Sequence, residues 1–116
     1  MYEHEDCAFT DLSAVRRYLA NCKVEIVVGD IVETSRRLEG EDLVLTFIDT
    51  DNYTSAKAAL KVVKGRTLVG GAIVFDHFTG VDRFRYTLGE RLAGYPLLGD
   101  SRYLHLHGTG VFYRQC

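Results

Sequence analysis

The chain has 116 residues, 47% hydrophobic and 26% charged, an ordinary balance for one soluble globular domain. Its formal net charge of -2, with Lys and Arg interleaved among acids, excludes the basic excess of a nucleic-acid binder. No apolar run approaches the about 20 residues of a membrane span, and no stretch of signal-peptide kind is present, so a cytoplasmic protein is expected.

Cys7, Cys22 and Cys116 lie far apart with no CxxC pair, which suits reduced thiols more than a disulfide framework. Residues 1–9 show no hydrophobic period and are read as irregular. Thr10 or Asp11 then caps a helix from Leu12 to Ala20, with Leu12, Val15 and Leu19 on one face. Val24–Val28 is a short β-branched segment stopped by Gly29 and reads as a strand. Asp30 caps a second helix through Leu38, striped by Ile31, Thr34, Ser35 and Leu38.

Leu43 to Ile48 is nearly all apolar and ends in Asp49, the habit of a parallel strand covered on both faces. Thr54 or Ser55 starts a helix to about Lys64, with Ala56, Ala59, Leu60 and Val63 apolar. Gly65 to Gly71 reads as a turn, and Ala72 to Phe75 as a buried strand ending in Asp76. A helix is expected from Val81 to Ala93, with Phe84, Leu88 and Leu92 on its apolar side. Gly94 to Asp100, which holds the single proline, Pro96, reads as a loop. Tyr103–His107 and Val111–Arg114 alternate around Gly108-Thr109-Gly110, the pattern of an antiparallel hairpin.

This alternation of helices and strands predicts an α/β fold: one doubly wound, Rossmann-like sheet, mostly parallel, closed by a C-terminal antiparallel hairpin. Ligands of such sheets collect beyond the carboxyl ends of the strands. Acids stand at that edge after each predicted strand: Asp30 after Gly29, Asp49 and Asp51 after Ile48, and Asp76 with His77 after Phe75. Taken singly, each reads as a helix cap or a loop hydrogen-bonding group. Their recurrence at neighbouring strand ends favours a pocket in which carboxylates and one imidazole hold a divalent cation, with a remaining carboxylate as base.

Val28-Gly29-Asp30-Ile31, Phe47-Ile48-Asp49-Thr50-Asp51-Asn52-Tyr53 and Gly70-Gly71-Ala72-Ile73-Val74-Phe75-Asp76-His77-Phe78 follow one another in a telling order and spacing. That arrangement resembles the macrocin-type family of class I S-adenosylmethionine-dependent O-methyltransferases, from about Val24 onward. The resemblance implies methyl transfer from S-adenosylmethionine to a hydroxyl of a small molecule, a sugar or natural product, assisted by Mg2+ or another divalent cation. Asp30 and Ile31 would meet the adenine, and Asp49 and Asp76 would bind the cation. His77 would join them where the family usually has a second acid, and Asp51 would be the general base. Imidazole suits transition metals better than magnesium.

The same resemblance implies a preceding Gly-rich cofactor turn and a ribose-binding acid, and no Gly-x-Gly after a strand occurs in these residues. The chain is therefore expected to be a single, truncated methyltransferase domain. The edge of the Leu43 strand would then be free to pair with the Val24 strand or with a second copy in a homodimer. A non-catalytic module derived from a methyltransferase is the alternative function. A cation-dependent hydrolase would need a phosphate-holding nest of amides, and none is evident. His105 and His107 read as polar strand residues, since no third ligand is placed near them. His4 has no predicted structure around it. Arg83, Arg85 and Arg91 read as a solvated face, Arg83 alone standing close to the proposed pocket.

Overall fold

The computed structural model of the chain describes residues 11–79 and 88–116. Asp11 caps α1 (Leu12–Tyr18), its carboxylate accepting from the Ser13 and Ala14 amides, and α1 buries none of its residues. Val24–Val28 joins no strand ladder, which corrects the expected strand. Strand conformation needs a partner, and this segment is left with Val24 54% and Val28 63% exposed. Asp30 caps α2 (Ile31–Thr34) through Val32 N–H, and a 3-10 turn, Ser35–Leu38, continues it.

β1 (Leu43–Ile48) leads into α3 (Tyr53–Arg66). The cap of α3 is Asn52, whose side chain accepts from Ser55 N–H at 2.9 Å; this is two or three residues earlier than the sequence suggests. α3 buries Ala56, Ala59, Leu60 and Val63, the face its periodicity predicts. β2 (Thr67–Phe75) pairs parallel with β1, so α3 is the crossover of a β-α-β unit. The expected Gly65–Gly71 turn is instead the last turn of α3 and an irregular start to β2. Thr67 pairs with Leu43 and Ala72 with Leu45, so the residues between them bulge from the ladder.

α4 is described as Leu88–Gly94, and most of the expected helix before it, with Phe84, lies outside the described residues. Its inward side is also not the expected one. Leu88 and Leu92 are 40% and 46% exposed, while Glu90, Ala93 and Gly94 are buried. Small residues let α4 approach closely: a Cβ at Gly89 would collide with the Asn52–Tyr53 backbone. The expected Gly94–Asp100 loop holds a 3-10 turn, Tyr95–Gly99, with Pro96 in its first turn.

The hairpin forms from β3 (Tyr103–His105) and β4 (Val111–Arg114), and β4 pairs antiparallel with β2. The sheet is thus mixed and four-stranded, in the order β1-β2-β4-β3. Among the described residues one edge of β1 has no strand beside it.

Register decides what each face of the sheet carries. Thr46, Ile73, Phe112 and His105 form one row and Ile48 and Phe75 the next, on the face covered by α3 and α4. The core lies there. Phe112, Ile73 and Val63 are almost fully buried, and Phe75, Phe78, Phe112 and His105 meet at ring distances of 4.6–5.9 Å. The opposite rows are Leu45, Ala72, Tyr113 and Leu104, then Phe47, Val74 and Val111. Leu45 is 66% and Phe47 58% exposed, where a parallel sheet ordinarily has a second helical layer. Among the described residues no helix is long and apolar enough to cross a membrane.

Candidate functional site at the strand ends

β1 and β2 run parallel, so their carboxyl ends open on the same edge, and Asp76 N–H bonds Ile48 O at 3.0 Å across them. The acids that follow are therefore neighbours. One ligand atom from each of Asp49, Asp51, His77 and Glu90 lies within 4.8 Å of the others. Asp76 stands at the rim of this group, its Oδ2 3.1 Å from His77 Nδ1.

His77 Nδ1 is the centre of the arrangement. It lies 3.3 Å from Asp51 Oδ1 and 4.0 Å from Glu90 Oε2 as well. None of these contacts has hydrogen-bond geometry, and this buried nitrogen has no hydrogen-bond partner among the described residues. An imidazole nitrogen left so among carboxylates is a donor set that fits a divalent cation. Asp49 feels the crowding most: burial raises its pKa first, then the charges of Asp76, Glu90 and Asp51, against a lowering by His77.

Asp51 is the one non-glycine residue with positive φ among the described residues, at 59°, a left-handed conformation that aspartate tolerates better than most. Its backbone is held from below. Glu90 Oε1 accepts from the amides of Thr50 and Asp51, the latter at 2.8 Å, and Oε2 accepts from His77 N–H at 3.0 Å. Sequence reasoning missed Glu90. Its available signal was a charged residue set among Gly89, Ala93 and Gly94, small enough for that side of the helix to pack inward.

Asp30 is not part of this group. Its carboxylate caps α2, and Ile31 beside it lines a cleft of about 380 Å³ between α2 and β1. Leu38, Phe47, Ile48, Asp49 and Thr50 also line that cleft, so its inner end touches the acid group. A second cleft of about 390 Å³, between α2 and α3, is lined by Val32, Arg36, Lys61 and Arg66 among others and by none of the strand-end acids. The first cleft reaches the titratable cluster through Asp49, as a ligand site with convergent polar groups does.

The other candidates among the described residues stand outside the acid group. His105 stacks on Phe112, with its Nε2 2.7 Å from Thr109 O, and His107 is exposed beyond the end of β3. Arg91 Nε donates to Phe78 O at 2.8 Å, and Cys22 and Cys116 are exposed free thiols. His4, Cys7, Arg83 and Arg85 lie outside the described residues.

No family model matches the sequence, and no curated protein matches it. Solved structures do. CalS11, a TDP-rhamnose 3'-O-methyltransferase in calicheamicin biosynthesis, superposes on 76% of this chain and 39% of its own, with a TM-score of 0.56 and 24% identity. The O-methyltransferase NovP superposes on 95% of this chain and 47% of its own, with a TM-score of 0.65 and 17% identity. The likeness is one of fold: a small α/β unit similar to methyltransferase folds, spanning less than half the length of either neighbour.

Proposed function

We propose that the chain carries the acceptor and cation half of an S-adenosylmethionine-dependent O-methyltransferase of the macrocin type. The convergence of Asp49, Asp51 and His77 at adjoining parallel strand ends carries this reading, because two of the three segments that resemble the family meet there in space. Folds shared with CalS11 and NovP support it.

In this reading Asp49, Asp76 and His77 would hold a divalent cation, which would lower the pKa of a substrate hydroxyl. Asp51 would accept the hydroxyl proton on a carboxylate oxygen, and the acceptor oxygen would take the methyl group as its bond to the sulfonium sulfur breaks, the demethylated cofactor leaving as a neutral thioether. Asp30 and Ile31 bound the adenine end of the cofactor, Ile31 from the apolar wall of the cleft beside β1. The Gly-rich turn and the ribose acid come from residues other than these, so turnover needs a polypeptide that supplies them. Much of the acceleration is positional. The acceptor is a small-molecule hydroxyl, of sugar or natural-product kind.

Titration of Mn2+ and Mg2+ into the folded chain tests the assignment. Asp49→Asn is expected to weaken cation binding at least tenfold, as loss of a ligand does. Asp51→Asn is expected to leave it within about threefold while removing methyl transfer in any complemented, active form. Equal loss in both variants would make Asp51 a ligand and leave the base unassigned. A folded wild type with no cation affinity favours the non-catalytic alternative, a methyltransferase-derived module with vestigial acids.

A further inference from the structure

Glu90 belongs to none of the motifs that point to chemistry, yet it is the buried acid of the described residues, with 0% of its surface exposed. Its oxygens reach both strand-end loops: Oε1 takes the amides of Thr50 and Asp51, and Oε2 that of His77. Three amide donors occupy most of the lone-pair directions a carboxylate offers, which leaves little for a metal. The contact is also built in from the fold. Gly89 seats α4 against the Asn52–Tyr53 backbone, and Gly94 seats it against Phe75 and Phe78, where a Cβ would crowd both rings. Asp51 meanwhile keeps a left-handed backbone that needs an outside hold.

We propose that Glu90 is the positioning residue of the strand-end site, fixing the backbones of Asp51 and His77 so that their side chains face one point. It stands behind the ligand atoms and is not one of them. The functional consequence rests on the cation-and-base reading above; the clamp on the three amides does not.

Glu90→Gln separates the two. It keeps the volume and one carbonyl acceptor, but turns an amide group toward a neighbouring N–H. In an isotopically labelled chain the resonances of Thr50, Asp51 and His77 amides are expected to move while the core resonances stay. Exchange of at least one of these amides should quicken about tenfold, and Mn2+ affinity should fall about tenfold to hundredfold, as for other groups that orient metal ligands. Unmoved resonances with unchanged exchange would overturn the proposal. So would loss of Mn2+ binding with the three amides unmoved, which would make Glu90 a direct ligand. If the variant does not fold, exchange in the wild-type chain decides: slow Asp51 and His77 amides support the clamp, and solvent-like rates overturn it. A wild type that binds no Mn2+ removes the cation reading, and Glu90 then stands or falls on its amides alone.

Discussion

Asp49, though exposed, sits where its own charge is disfavoured, by partial desolvation first and then by three neighbouring carboxylates. Its folded pKa lies above the ordinary aspartate value of 3.8, so its ionised form weakens the ion-free fold at neutral pH. The penalty is relieved as pH falls through that raised pKa. Asp49→Asn is therefore expected to stabilise the ion-free chain by roughly 0.5 kcal/mol, a figure kept small by its solvent exposure, while weakening cation binding. Denaturant unfolding and metal titration on the same samples check both signs. Which acids carry strand-end positions was legible in the sequence, because an apolar run ending in an acid needs no tertiary information. The capping of α2 by Asp30 was legible too; that the segment before it forms no strand, which leaves Asp30 outside the acid group, was not. An acid before a helix and an acid at a pocket look alike until the chain has turned.

α3 was readable at the level of single side chains, since its Ala, Leu and Val positions follow the helical period and all four bury. α4 was not. There the period of Leu88 and Leu92 points outward, and the inward side is chosen by Gly89, Ala93 and Gly94, whose lack of bulk permits contact without advertising it. Gly89→Ala is expected to push α4 off the start of α3 and destabilise the fold by about 2 kcal/mol, seen as a lower unfolding midpoint with an unchanged slope. β3 shows a different kind of restraint. Arg102 grips Asp100 through both carboxylate oxygens at 2.9 and 2.7 Å, with its own amide at 3.1 Å. That hydrogen bonding holds the Asp100 carboxyl down at about 2. Its contribution is present above the unfolded value of 3.8 and is lost as pH falls through about 2. Asp100→Asn should cost about 1 kcal/mol at neutral pH and flatten the acid limb of the stability profile over that window.

Among the described residues the sheet is finished on one side only. α3 and α4 cover the Ile48, Ile73 and Phe112 face, whereas Leu45, Phe47, Leu104 and Tyr113 remain 43% to 66% exposed opposite. The alternating pattern forecast a doubly wound sheet, and its second layer is what the described residues lack. The expected strand at Val24–Val28 did not supply an edge partner for β1 either, since a strand is defined by its neighbour as much as by its residues. We expect the free edge of β1 to pair two copies, and Phe47→Lys to shift sedimentation velocity toward the monomer without loss of stability. A wild type that stays monomeric at high concentration would remove that expectation.

The most direct test of the methyltransferase reading is a titration of S-adenosylmethionine into the isotopically labelled chain, mapped by amide shifts. The expected result is saturable, weak binding. Its shifts should gather at Asp30, Ile31 and the end of β1 from Phe47 to Asp51, and Asp30→Ala should abolish them. Shifts gathered elsewhere, or none from a folded chain at millimolar ligand, would contradict it and leave the fold as the only property shared with CalS11 and NovP.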